Sequence, residues 1–178
     1  TLAYGYGLTV TTLQLAHAYT VFANNGVKPN VSMLKVDERD SKKSRSDSFQ
    51  QVVDSRYANQ VLAMMEAVIA PGGTGTRARL DSYTAAGKTG TAHKASEGGY
   101  LDEAKFSVFS GIAPVKNPRI AVAIMINEPR SGLYGGGEVA APIFSTIAEG
   151  ALRLLQTPPD KFSPQQFSDQ VAQRGPLL

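Results

Sequence analysis

The chain has 178 residues, of which 42% are hydrophobic and 19% are charged, and this is enough apolar material for one domain with its own core. Its formal charge of +3 is spread along the sequence without a basic stripe interleaved with aromatic residues, which argues against nucleic-acid binding. The absence of cysteine excludes disulfides and thiolate metal ligands, and His17 and His93 lie too far apart for a helical metal pair, so we expect no metal and no cofactor.

Two helices are predicted in the N-terminal part of the chain. Residues 11–24 carry apolar side chains at every third or fourth position, and a hydroxyl of Thr11 or Thr12 can cap the first turn. The apolar face of this helix consists of Leu13, Ala16, Tyr19 or Thr20, and Ala23. Residues 55–70 repeat the pattern, and Pro71 ends it. The buried side of the second helix is predicted to contain Tyr57, Val61, Leu62, Met65 and Val68.

Extended segments dominate the middle of the chain. Strands are predicted at residues 31–36, 82–92, 106–113 and 119–127, and polar loops at residues 37–50 and 93–104. The last three strands indicate an antiparallel meander, in which the almost continuous apolar run of residues 119–127 is typical of a central strand.

The C-terminal part is predicted to contain one more helix and a tail. Residues 139–155 form this helix, and its apolar face contains Ala140, Ile143, Phe144, Ile147, Ala151, Leu154 and Leu155. Pro158 and Pro159 stop the packed region, and the sequence after them is rich in Gln, Ser and Pro. We therefore expect one domain over residues 1–156 and a flexible tail over residues 157–178.

The motif Lys88-Thr89-Gly90 lies on the strand predicted at residues 82–92, which has the pattern of a sheet edge. An extended ligand can pair with the backbone of an edge strand, and Gly90 leaves room for its close approach. The Thr89 hydroxyl can donate to a carboxylate, while Lys88 attracts the negative charge and can help to move a proton on a neighbouring hydroxyl. The N–H of Thr91 can serve as half of an oxyanion hole. The tripeptide by itself is a weak signal, because an ordinary strand can contain it by chance.

A phosphate-binding loop is the main competing interpretation, because Gly87-Lys88-Thr89 also matches the end of that motif. The motif requires a glycine five residues before the Gly-Lys pair, where this chain has Ser82. It must also open a helix, and no helical pattern follows Gly90. Nucleotide binding is therefore disfavoured.

Two further sites are interpreted as structural. Ser32 and Lys35 match a Ser-x-x-Lys nucleophile motif literally, but the segment has the pattern of a strand, where the two side chains would point to opposite faces. We interpret His17 as a packed helix residue and His93 as a loop residue, although its place just past the motif strand would also let it line the mouth of a cleft.

Several segments occur in the order known from one enzyme family. They are residues 4–7, 9–11, 13–16, 23–26, 73–76, 87–92, 111–114, 127–129, 134, 136–137 and 139–144. Together they resemble the C-terminal part of the transpeptidase domain of class B penicillin-binding proteins, and most closely the division-specific penicillin-binding protein 3 group of Gram-negative bacteria. The resemblance covers about residues 4–156.

The resemblance implies an α+β fold of the penicillin-binding and β-lactamase type, with a C-terminal helix packed on an antiparallel sheet. It implies a peptidoglycan D,D-transpeptidase that cross-links the septal cell wall through an acyl-serine intermediate, which β-lactams trap. The catalytic residues would be Lys88 and Thr89, and the substrate-binding residues would be Thr89, Gly90, Thr91 and Tyr134. Related proteins often carry a second aromatic residue beside Tyr134, where this chain has Gly135.

The nucleophile is not predicted in this chain, because Ser32, its only Ser-x-x-Lys match, is disfavoured. Ser-x-Asn, a further motif of the family, does not occur either. The chain opens without an initiator Met, so we expect it to be one piece of a longer protein. Because the acyl-forming serine is missing, we expect this chain alone to be inactive. The implied partners are peptidoglycan stem peptides, β-lactams, the upstream part of the same domain and division proteins, at the periplasmic face of the inner membrane with an anchor outside this chain. The alternatives are a non-catalytic ligand-binding or interaction module and a D,D-carboxypeptidase or β-lactamase relative.

Overall fold

The computed structural model describes residues 7–33, 50–96, 99–130 and 132–162. The helices are α1 (Thr12–Ala23), α2 (Ser55–Ile69) and α3 (Gly136–Leu154), and a 3-10 turn covers Thr76–Ala78. The strands are β1 (Val27–Lys28), β2 (Gln50–Gln51), β3 (Ala86–Ser96), β4 (Gly99–Ala113) and β5 (Ile120–Asn127). None of the helices in the described part of the chain is both long and apolar enough to cross a membrane.

The main sheet is the predicted antiparallel meander, with the strand order β3, β4, β5. Among the described strands β4 lies in the middle, and residues 119–127, predicted as a central strand, form β5 at the edge of this three-stranded sheet. β5 pairs with β4 along one edge, and α1 and α3 cover its two faces, which explains its apolar sequence. A continuous apolar run therefore indicates a strand whose two faces are both covered, whichever of its edges are paired.

The segment predicted as a polar loop at residues 93–104 belongs mostly to strands, because β3 continues to Ser96 and β4 begins at Gly99. Strand pairing uses backbone groups, so polar side chains do not prevent it when they face solvent. The small sheet also differs from the prediction: Val27–Lys28 pairs with Gln50–Gln51, and residues 31–33 form no strand. The remaining residues of the predicted strand at 31–36, and residues 37–49 of the predicted loop, lie outside the described residues.

The helix starts and ends follow local sequence signals. The side chain of Thr11 caps α1 in a capping box with Gln14, and Asp54 caps α2 by accepting a hydrogen bond from the Arg56 N–H. Helix α2 stops just before Pro71, as predicted, and Asn24 is the C-cap of α1.

The predicted helix faces were partly wrong. Exposed side chains include Leu13, Tyr57, Ile143, Ile147, Leu154 and Leu155. The buried ones are Val21 in α1, Ala58, Leu62, Met65 and Ile69 in α2, and Ala140, Ala141, Phe144, Ala148 and Leu152 in α3. The contact face of α3 combines the large side chains of Phe144 and Leu152 with alanines that let the helix approach the sheet closely.

The sheet separates two packed layers. On one face, Phe144 of α3 packs against Phe109 of β4 with ring centroids 4.9 Å apart. A Cβ on Gly111 would lie 2.8 Å from the Phe144 ring, so a glycine is required at this crossing. On the other face, Leu62 and Met65 of α2 form a cluster with residues of β3 and β4.

The first residues of the predicted flexible tail are packed against the domain. The Tyr83 hydroxyl donates to the Thr157 carbonyl at 2.8 Å, and the Thr84 N–H donates to Asp160 Oδ1 at 2.7 Å. The Thr84 hydroxyl donates to the other oxygen of the Asp160 carboxylate. These bonds hold the segment that leads into β3, so the packed region extends past the predicted boundary at residue 156. Residues 163–178 of the predicted tail lie outside the described residues.

Candidate active site

The Lys-Thr-Gly motif lies on β3, at an edge of the described three-stranded sheet. The register places Thr89 opposite Phe109 and Thr91 opposite Ser107, so both threonines belong to the face that carries α3. Lys88 and Thr91 are exposed, and Thr89 and Gly90 are half-buried. A chain that pairs with the backbone of β3 would therefore reach these four residues.

The Thr89 hydroxyl is held in place by two neighbours. It shares a hydrogen bond with the Thr74 hydroxyl at 3.0 Å, and Lys88 Nζ lies 3.3 Å from it. Lys88 Nζ also donates to the Thr89 carbonyl oxygen at 3.0 Å. This arrangement places an ammonium group and a hydroxyl side by side, which is suited to binding a carboxylate.

Thr74 is a site residue that the sequence analysis did not single out. It stands in the connector of residues 73–76, where a Cβ on Gly73 would overlap the Val68 carbonyl oxygen. The Gly75 N–H donates to the same carbonyl at 2.9 Å, which fixes the connector to the end of α2. The glycine-rich pattern of residues 73–76 is typical of a tight connector, and the Thr74 hydroxyl within it is the sequence signal for a role in the site.

The N-terminus of α3 packs directly against the motif strand. The Gly136 N–H donates to the Thr91 hydroxyl at 3.2 Å. A Cβ on Gly136 would overlap the carbonyl oxygens of Val108 and Gly90, and one on Gly137 would overlap that of Thr74. Only glycines let the helix begin so close to β3, and its N-terminal partial positive charge therefore lies beside the threonines.

Tyr134 precedes α3 and is 53% exposed. Two residues of β4 hold it. The Ser107 hydroxyl donates to its backbone carbonyl, and Lys105 Nζ stands over its ring, 3.7 Å from the centroid. The structure thus connects the Tyr134 loop to the β4 positions opposite Thr91 and His93.

An ion pair involves the residue that follows His93 on β3. Lys94 forms an ion pair with Glu128, and its ammonium group is 5.4 Å from the centroid of the Phe106 ring. The hydrogen bond from Lys94 lowers the pKa of Glu128 below its usual value, and the charge of Lys94 acts in the same direction. Within the described residues, no group of His, Asp and Glu could hold a metal ion.

The competing motifs can now be placed. Residues 91–96 continue as strand and not as a helix, which excludes a phosphate-binding loop at Gly87-Lys88-Thr89. His93 lies on β3 opposite Lys105, so its assignment to a loop was wrong. His17 Nε2 lies 2.6 Å from the Pro29 carbonyl oxygen and belongs to the packing of α1, as predicted. Ser32 is not in a helix, and Lys35 lies outside the described residues.

Comparison with known proteins gives one consistent result. The family model "Penicillin binding protein transpeptidase domain" matches residues 1–149. The chain is 41% identical over 173 residues to the probable peptidoglycan D,D-transpeptidase PbpC of Pseudomonas aeruginosa, covering 97% of this chain and 29% of that protein. It is 35% identical over 175 residues to the peptidoglycan D,D-transpeptidase FtsI of Escherichia coli K12, covering 98% of this chain and 29% of that protein.

A solved structure agrees with the sequence relatives. The transpeptidase domain of penicillin-binding protein 3 from Burkholderia pseudomallei, in its apo form, matches with a TM-score of 0.78 and 38% identity, over 90% of this chain and 47% of that one. The α+β fold expected from the resemblance is thereby confirmed. The chain spans less than a third of the length of these two curated relatives. From the family match and the shared fold together, we conclude that the chain belongs to the penicillin-binding protein transpeptidase family.

Proposed function

We propose that this chain supplies the Lys-Thr-Gly side of the active site of a peptidoglycan D,D-transpeptidase. The observation that carries the proposal is the arrangement of Lys88, Thr89 and Thr74 on an accessible strand edge beside the N-terminus of α3. The full-length protein that carries this chain is called the parent protein below. Its nucleophilic serine is proposed to lie outside the 178 residues.

The first step is recognition of the D-Ala-D-Ala end of a stem peptide. Thr89 donates its hydroxyl to the terminal carboxylate, and the ammonium group of Lys88 attracts the same charge. The peptide pairs with the β3 backbone, where Gly90 permits close approach. The Thr74 hydroxyl fixes the direction of the Thr89 hydroxyl through their shared hydrogen bond.

The second step is acyl transfer. The serine oxygen attacks the carbonyl carbon of the D-Ala-D-Ala bond, and the N–H of Thr91 donates to the oxygen that becomes negative. The bond to the terminal D-Ala breaks, and its amine leaves with the proton. An amine of a second stem peptide then takes the acyl group from the serine, which forms the cross-link. Thr89 and Thr91 sit two positions apart on one face of β3, so the carboxylate and the reacting carbonyl are bound side by side.

The finer assignments rest on the named relatives. We propose a role in septal wall synthesis, at the periplasmic face of the inner membrane and together with division proteins, because FtsI proteins are among the relatives at 35–41% identity. PbpC and PenA proteins match in the same range of identity. All of these relatives are named as D,D-transpeptidases, so the proposed reaction has broader support than the proposed septal location, which rests on the FtsI relatives alone.

The proposal is tested by denaturing mass spectrometry after incubation with benzylpenicillin, on the parent protein and on this chain alone. We expect one penicilloyl adduct on a serine of the parent protein outside this chain, and no adduct on the isolated chain. An adduct on Ser32 would show that the Ser-x-x-Lys match was wrongly dismissed. No adduct on the parent protein would favour a binding module without chemistry. Rapid loss of the adduct by hydrolysis would favour a β-lactamase or carboxypeptidase.

A further inference from the structure

Lys105 and Tyr134 meet beside β3 but outside the Lys-Thr-Gly motif. Lys105 Nζ lies 3.7 Å from the centroid of the Tyr134 ring. Lys105 is half-buried and pairs with His93 in the sheet register, one same-face position beyond the pair of Thr91 and Ser107. Because side chains two apart on a strand share a face, Lys105 lies on the face that carries Thr89 and Thr91.

The order of these positions along the sheet matters for a bound ligand. In the proposed function, on which this inference rests, the ligand carboxylate lies at Thr89 and the reacting carbonyl at Thr91. The acyl side of the ligand then continues in the same direction along β3, toward position 93 and its partner Lys105. Successive same-face positions are about 7 Å apart, so Lys105 is within reach of a side group next to the reacting carbonyl.

The charge of Lys105 is available for such a group. The ion pairs of the described residues are Arg56–Asp54, Lys94–Glu128 and Arg153–Glu149, and Lys105 takes part in none of them. The neighbouring Lys94 is neutralised by Glu128. Glu138, whose carboxylate lies against Gly135 at the start of α3, forms no ion pair with Lys105 among the described residues. An ammonium group on an aromatic face keeps N–H groups that can donate to an acceptor.

We propose that Lys105 and Tyr134 form a second anion subsite, which favours ligands with a carboxylate on the acyl side group. The carboxylate accepts a hydrogen bond from Lys105 Nζ while the apolar part of the side group lies against the Tyr134 ring. Ser107 fixes the subsite by donating to the Tyr134 carbonyl. Lys105 is thus a residue that determines specificity, and it takes no part in the proposed bond-making steps.

Carbenicillin and benzylpenicillin are a matched pair of probes, because they differ only by one carboxylate on the acyl side group. The measured quantity is the ratio of their second-order acylation rate constants on the parent protein. In Lys105→Met, which keeps the aliphatic stem, we expect the carbenicillin to benzylpenicillin ratio to fall about fivefold, which is the upper end of what a solvent-exposed ion pair contributes. Lys105→Arg should keep most of the wild-type ratio, and 1 M NaCl should reduce the difference between Lys105→Met and wild type.

Lys116→Met is the control for a general loss of positive charge, since Lys116 is exposed in the turn at the opposite end of β4. It should leave the ratio unchanged. An unchanged ratio in Lys105→Met, with normal benzylpenicillin acylation, would overturn the subsite alone. Equal losses in Lys105→Met and Lys116→Met would also overturn it. Absence of acylation by both penicillins in the wild type would instead overturn the proposed function and the subsite with it.

Discussion

The hydroxyl oxygens of Thr74 and Thr89 lie 3.0 Å apart, although the two residues are 15 positions apart in the sequence. Thr74 stands in the glycine-rich connector after α2, and Thr89 in the middle of the exposed motif strand. The hydrogen bond therefore links the end of a helix to the group proposed to bind the ligand carboxylate. It gives the Thr89 hydroxyl a defined direction, which a free side chain on a strand edge would lack.

Loss of the Thr74 hydroxyl should weaken the site without harming the fold. In Thr74→Val of the parent protein, we expect the benzylpenicillin acylation rate constant to fall about fivefold, because one neutral hydrogen bond contributes about 1 kcal/mol. Thr74→Ser keeps the hydroxyl and should remain close to wild type. The melting temperature should change little, since Thr74 is exposed. A Thr74→Val protein that reacts as fast as wild type would show that the bond has no role in binding.

The start of α3 should tolerate no side chain. Gly136→Ala places a methyl group against the carbonyl oxygens of Val108 and Gly90, so the helix must move away from β3. We expect a loss of about 2 kcal/mol or more, seen as a drop of several degrees in the melting temperature of the transpeptidase domain. The matched control is Gly150→Ala in the same helix, where a Cβ meets nothing within 4 Å. This change should raise the melting temperature slightly, because alanine favours a helix by about 1 kcal/mol over glycine. Similar effects of the two substitutions would contradict the close packing.

The acid titration of Glu128 should depend on Lys94. The hydrogen bond and charge of Lys94 hold the pKa of Glu128 below its ordinary value of 4.5. Since the folded-state pKa is the lower one, the stabilisation by this pair is present above the unfolded pKa and is lost as the pH falls through the folded one. Carboxyl NMR of Glu128 should show a midpoint below 4.5 in the wild type, and Lys94→Met should raise it toward that value. An unchanged midpoint would mean that the ion pair does not persist in solution.

The contact between Asp160 and Thr84 should stabilise the entry into β3. Asp160→Ala removes the acceptor for the Thr84 N–H and hydroxyl, and we expect a loss of about 1–3 kcal/mol, or several degrees in melting temperature. Asp81→Ala is a suitable control, because Asp81 is an exposed carboxylate of the same region. It should change the melting temperature by no more than about 1 °C. If truncation before residue 157 left the melting temperature unchanged, these residues would indeed behave as the flexible tail that the sequence predicted.

Much of the fold followed from local sequence signals. The cap at Thr11, the stop at Pro71 and the meander around Lys88-Thr89-Gly90 each depend on residues that are close together in the chain, so they could be predicted. The strand assignment of His93 and the burial of Ala141 and Ala148 in α3 could not, because they depend on which distant element lies across the sheet. Hydrophobicity favoured Ile143 and Leu154 as core residues, whereas the helix buries Phe144, Leu152 and several alanines and leaves Leu154 87% exposed.

The residues of the candidate site also fall into those that a local motif predicts and those that only the tertiary fold brings together. Lys88, Thr89, Gly90 and Thr91 are adjacent in sequence, and one motif was enough to predict their proximity. The contact of Lys105 with the Tyr134 ring joins a strand to a loop that is distant in the sequence, and no short motif predicts it. Thr74 likewise reaches the site only through the tertiary fold.

The central claim is that the edge of β3 binds the ligand carboxylate and the reacting carbonyl. The most direct measurement is a crystal structure of the parent protein acylated by benzylpenicillin. We expect the acyl carbonyl oxygen within about 3 Å of the Thr91 nitrogen, and the penicillin carboxylate within about 3 Å of the Thr89 hydroxyl oxygen, as normal hydrogen bonds require. A penicilloyl group that points away from β3, with neither threonine in contact, would contradict the account.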